Sequence, residues 1–168
     1  MFIPFTNLPA ASRIWIFQAS RALTAGERAG VESKLRGFCE EWAVHGLPLE
    51  TSFTVKFDQF IVLAADEGHQ SASGCSIDSS VRVLKDIEQF LGIQLFERNQ
   101  VAFKTEEGIL FVPFQELKQK FQAGILKEDT LTFNNLVDTK AAFEKNWLVP
   151  AGETWVKRYI PNPLAKVK

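Results

Sequence analysis

Several classes of protein are excluded by what these 168 residues lack. There are two cysteines, Cys39 and Cys75, and two histidines, His45 and His69. They form no CxxC pair, no HExxH and no Cys/His zinc pattern, so no metal site is expected. So few cysteines also exclude a disulfide-stapled mini-protein and fit a reducing, cytoplasmic compartment. No glycine precedes a lysine, which removes the P-loop, and neither GxGxxG nor GxSxG occurs. No cofactor is therefore expected. Charge of neither sign prevails: 19 Lys and Arg stand against 20 Asp and Glu, a net charge of −1. That balance argues against a nucleic-acid partner. The longest apolar run, Phe60–Ala65, has a strand's length and falls far short of the roughly 20 residues that span a bilayer. The first basic residue is Arg13, so no secretory signal is expected at the N-terminus.

Phenylalanine is abundant: 15 Phe stand beside four Trp and one Tyr. Phe lacks a polar handle, so this excess reads first as core rather than as a recognition surface. At this length a single domain, 1–168, is expected.

Periodicity supplies the elements. Residues 13–19 are apolar, β-branched or aromatic, and read as a strand. Thr24 followed by Glu27 has the spacing of a capping box. Val31, Leu35, Phe38 and Trp42 then recur on one helical face, with Cys39 beside them, and Gly46-Leu47 reads as the stop. Phe53, Val55 and Phe57 alternate with polar residues, Asp58-Gln59 turns the chain, and residues 60–65 form a buried strand. Ser76 opens a second helix carrying Ile77, Val81, Leu84, Ile87 and Leu91, closed by Gly92-Ile93. Residues 101–104 and 109–112 flank a hairpin turn. A short helix with Leu117 and Phe121, a strand at 130–133, a helix from Asp138 or Thr139 through Trp147, and one or two turns at 153–159 complete the chain. The order β-α-β-β-α-β over 13–105 is that of a ferredoxin-like split βαβ motif. The expected fold is thus an α+β two-layer sandwich. A C-terminal extension over 106–160 adds a hairpin and helices, and a basic, proline-containing tail covers 161–168.

One constellation is a candidate to carry chemistry. Between Glu67 and Arg82 the chain gathers Gly68, Gly74, His69, Cys75 and five serines around a helix start. Free backbone N–H groups there, with the Ser73 and Ser76 hydroxyls and the latitude of Gly74, suit a polar ligand. Asp78 in the first turn repels a bare phosphate and favours a ligand with hydroxyls or an amine. A second reading makes Cys75 a nucleophile, activated by the helix start, with His69 as base: a cysteine-dependent hydrolase or transferase. The plain reading is a capped helix with Cys75 packed, and Arg82 as a surface charge. Asn134, Asn135 and Lys140, after a strand, and Trp155 with Arg158, one turn apart, are further candidates to line the site.

The stretches IPFTNLP with RIWIFQ, GCSIDSSVR, FNNLVDTK and VPAGETW together are similar to a family of bacterial proteins of about this length, often labelled "ABC transporter ATPase". That label implies a P-loop, which this chain lacks, so ATP hydrolysis is not expected and no activity carries over. The resemblance implies a shared site built from Ser73–Asp78 and Asn134–Lys140. The resulting expectation is a binding or interaction module. Its partner would be a small polar ligand or a protein, and a homodimer burying Phe residues on an open sheet face is a further possibility to test.

Overall fold

A computed structural model describes residues 1–44, 46–68, 72 and 74–162, at 74 and 75 as backbone only. The elements are β1 (Arg13–Gln18), α1 (Ala25–Glu41), β2 (Ala43–Val44), β3 (Leu47–Pro48), β4 (Thr51–Lys56), β5 (Phe60–Ala65), α2 (Gly74–Leu91), β6 (Gln100–Thr105), β7 (Gly108–Pro113), α3 (Leu117–Gln122), β8 (Leu131–Phe133), α4 (Lys140–Asn146) and β9 (Leu148–Pro150). Short 3-10 turns lie at Phe5–Asn7, Phe114–Glu116, Ala151–Glu153 and Trp155–Tyr159. The expected α+β class holds, with helices layered on antiparallel sheets. The chain divides into two compact units, one of Met1–Glu97 with Asp138–Phe143 and one of Arg98–Val137 with the residues from Glu144 onward.

In the first unit β5 lies between β1 and β4, antiparallel to both. β1 and β4 therefore run parallel to each other across β5, with α1 as the crossover, which is the split βαβ arrangement. Ile61, Leu63 and Ala65 of β5 and Val55 of β4 join Val31 and Leu35 of α1 and Leu84 and Ile87 of α2 in one core. α1 starts on the capping box that its sequence announces: Glu27 N–H donates to Thr24 Oγ1 at 3.1 Å, and Thr24 N–H donates to Glu27 Oε1 at 3.0 Å. Arg21 grips the same carboxylate through two bonds of 2.8 Å, and together these hold Glu27 far below the usual carboxylate range, at about 2. α2 ends as expected at Gly92, whose φ of 64° lets Ile93 N–H reach back to the Glu88 carbonyl.

Two features differ from the sequence expectation. α1 stops at Glu41 rather than at Gly46, because Trp42 leaves the helical conformation and turns its ring inward against Phe38 and Trp15. Gly46, at φ 78°, serves the β2–β3 hairpin instead. The ferredoxin-like order also reaches only three strands. The strand expected fourth lies in β6, but β6 pairs with β7 and β8 in a separate sheet of order β7-β6-β8-β9. Its hairpin partner β7 is two residues away, so pairing there costs less loop entropy than a return to β1. The edge of β1 is covered by a strap instead: Ile14 N–H donates to the Asp138 carbonyl and Lys140 N–H to the Ser12 carbonyl, both at 2.9 Å.

The β4–β5 turn places two non-glycine residues, Phe57 and Asp58, at φ 55° and 54°. Arg28 braces it, donating to Asp58 Oδ1 at 2.7 Å and to the Val55 carbonyl at 3.0 Å. All six residues of β5 are buried, so Phe60 lies on no open sheet face. The exposed phenylalanines are Phe57, Phe90 and Phe114. In the second unit Val101, Phe103 and Val112 pack with Leu117, Phe121, Leu126 and Val156 around the four-stranded sheet.

Candidate functional site

The antiparallel run of α1 and α2 brings the C-terminal end of α1 beside the N-terminal half of α2. Trp42 fixes that juxtaposition. The residue is 2% exposed; its ring lies tilted against Phe38 at 5.0 Å and Trp15 at 5.6 Å and donates from Nε1 to the Ser76 carbonyl at 2.9 Å. Above these rings lies a groove of about 360 Å³ lined by Phe38, Glu41, Trp42, Ala43, Ser79, Arg82, Val83 and Asp86. Its floor is aromatic and its rim is charged. Glu41, Arg82 and Asp86 are exposed and make no hydrogen bond or ion pair with any described residue. Two carboxylates and one guanidinium thus converge unpaired on an aromatic platform. Such a site suits a small molecule that carries charge of both signs on an apolar body.

The residues that the sequence singles out are distributed otherwise. In the first unit Ser76 is buried, with its carbonyl occupied by Trp42, while the exposed Asp78 side chain has no partner among the described residues and directly precedes Ser79 of the groove. α2 begins at Gly74, so Ser76 lies within its first turn. Lys140 is buried too, and its Nζ donates to the carbonyls of Leu8 at 2.7 Å and Thr6 at 3.0 Å, near the Phe5 ring. It pins the N-terminal segment. His69, Ser73 and the Cys75 side chain lie outside the described residues, as does the tail from residue 163.

In the second unit the two amides serve local structure. Asn134 Oδ1 accepts from Leu136 N–H at 3.3 Å, closing a turn, and Asn135 Oδ1 accepts from Trp147 Nε1 at 2.9 Å. Trp155, 37% exposed, meets Phe114 and Tyr159 edge-on at 5.7 and 6.3 Å, and the Arg158 guanidinium lies 5.9 Å from the Tyr159 ring. Ser76, Asp78 and Lys140 thus belong to one unit, and Asn134, Asn135, Trp155 and Arg158 to the other.

Cys39 is no nucleophile. It is fully buried, and burial pushes its thiol up to about 11. Among the described residues no group of three His, Cys, Asp or Glu side chains is placed to hold a metal ion, and no helix is long and apolar enough to cross a membrane.

The groove residues carry a sequence signal that periodicity alone hides. Phe38 and Trp42 stand four apart, as do Arg82 and Asp86, and the groove emerges once the split βαβ topology lays those two pairs side by side. Comparison with protein-family models, curated proteins and solved structures finds no match for the chain.

Proposed function

We propose that the protein is a binding module whose ligand seats in the groove between the end of α1 and the first half of α2. The observation that carries this reading is the convergence of the Glu41, Arg82 and Asp86 side chains, without partners among the described residues, beside Phe38 and Trp42. The ligand class follows by complementarity: a cationic nitrogen toward Glu41 and Asp86, an anionic group toward Arg82, and an apolar or aromatic body on the platform. A zwitterionic aromatic amino acid has those three parts. The compartment we assign is the cytoplasm, on cysteine usage. The site adjoins Ser73–Asp78, since Ser79 continues that serine-rich stretch into the groove.

Thermal denaturation with L-phenylalanine and L-tryptophan as probes tests the reading. A ligand of the native state raises the melting temperature with concentration. Arg82→Ala should abolish the response to the free amino acids while sparing the response to their amides. Asp86→Asn should weaken both responses. A wild-type melting temperature unmoved by either amino acid up to millimolar concentration overturns the proposal.

A further inference from the structure

The groove beside Phe38 and Trp42 is not electrically balanced. Glu41 and Asp86 line it with Arg82, so its side chains sum to −2 + 1 = −1. The excess lies on α1. Arg82 and Asp86 stand four apart on α2, a spacing at which opposite charges offset one another. Glu41 stands alone on the opposite wall, with no partner among the described residues. The helix ends add to this asymmetry. The groove meets α1 at its last residue, where free carbonyls carry partial negative charge and the final turn holds no basic side chain. It meets α2 at Ser79, more than a turn past Gly74 and so beyond the positive pole of that helix. Two further charges lie at the end of α1. The Met1 ammonium donates to the Cys39 carbonyl at 3.1 Å, and Glu40 accepts from Phe2 N–H at 3.4 Å. They are opposite in sign and leave Glu41 uncompensated.

We infer that the groove selects aromatic ligands of net positive charge: a ring and an ammonium, with no free carboxylate. This rests on the reading of the groove as a ligand site and narrows its ligand class. The ammonium pairs with Glu41, and Arg82 donates to a neutral acceptor such as an amide carbonyl. The N-terminal aromatic residue of a peptide has this chemistry, and so does a free arylalkylamine. There is room for more than a ring: about 360 Å³ is over twice the ~150 Å³ of a cavity that holds benzene.

Isothermal titration calorimetry of the full chain tests this. The probes are L-phenylalanine, L-phenylalaninamide, phenethylamine, L-phenylalanylglycinamide and N-acetyl-L-phenylalaninamide. The amide should bind about three- to fivefold tighter than the free amino acid at low salt, and high salt should narrow the difference. Glu41→Gln should erase that preference, and the N-acetyl amide, which has no cation, should not bind. Phenylalanylglycinamide binding tighter than phenethylamine assigns the site to a peptide N-terminus, and the reverse order assigns it to a free amine; both orders support the charge selection. Phenylalanine binding as tightly as its amide overturns the inference and leaves the groove a ligand site. A preference that survives Glu41→Gln overturns it too. Failure of every probe to bind overturns the reading of the groove itself.

Discussion

Replacing Trp42 by Phe tests whether one side chain sets the geometry of the ligand groove. The change keeps a ring between Phe38 and Trp15 and removes the indole N–H that reaches the Ser76 carbonyl at 2.9 Å. Loss of a buried hydrogen bond of this kind costs about 1 kcal/mol. The smaller ring leaves roughly 40 Å³ unfilled, which at about 24 cal/mol per Å³ adds about 1 kcal/mol. The expected loss is about 2 kcal/mol, or about 4–8 °C in melting temperature for a chain of this size. Urea unfolding followed by circular dichroism gives the total. Amide exchange gives its location: the first turns of α2 should lose protection, while β6 and β7 of the second unit keep theirs. A loss below about 0.5 kcal/mol, or protection lost equally in both units, refutes the assignment of Trp42 as the tie between the helices.

Other substitutions address other features. In a Cys75→Ser background, Cys39 should resist iodoacetamide until the protein is unfolded. The folded thiol titrates at about 11 against an ordinary 9.0, so its contribution is complete below 9.0 and lost as pH rises through that interval, an effect of about 2–3 kcal/mol that Cys39→Ala should erase from the urea midpoints. Ser52 Oγ is buried without a partner among the described residues, so Ser52→Ala should leave stability unchanged or raise it by about 1 kcal/mol in urea titration, and a loss contradicts this. Lys140→Met strands the Thr6 and Leu8 carbonyls and should cost about 1–3 kcal/mol, with proteolysis of the N-terminal segment rising in parallel. Phe57→Asn places a residue tolerant of the left-handed region at φ 55° and should raise the melting temperature, while a fall shows that the Phe57 ring outweighs the backbone strain.

The legible parts of the fold are those written locally. Thr24 with Glu27 announces the start of α1, Gly92-Ile93 the end of α2, and Phe53 with Val55 a strand, although Phe57, expected to continue the alternation, lies exposed in the turn that follows; each signal needs only residues a turn apart. The end of α1 was not legible, because Trp42 leaves the helix for the sake of Phe38 and Trp15, and Trp15 is far away in sequence. The partner of β6 was not legible either, since the same strand satisfies its hydrogen bonds at β1 or beside β7. At the candidate site, the serine-rich start of α2 and the groove-lining residues Arg82 and Asp86 share one helix. The charges that converge, Glu41, Arg82 and Asp86, look individually like solvated surface. Nothing in a single helix shows that Glu41 faces Arg82 and Asp86. Lys140 illustrates the converse: a lysine after an Asn-rich turn suggests a ligand, and only the packing shows its Nζ filled by two backbone carbonyls.

The strap on β1 has a consequence for synthesis. β1, β4 and β5 are complete once residue 65 has been made, but Asp138 and Lys140, which bond the outer edge of β1, come more than 70 residues later. At about 5–20 residues per second the edge stays bare for several seconds on the ribosome. An unpaired edge is a template for another chain, so that interval is when nascent copies are most open to pairing with one another. Chaperone dependence should therefore concentrate before the strap arrives, and a chain truncated ahead of residue 138 should aggregate although its three-stranded sheet is whole.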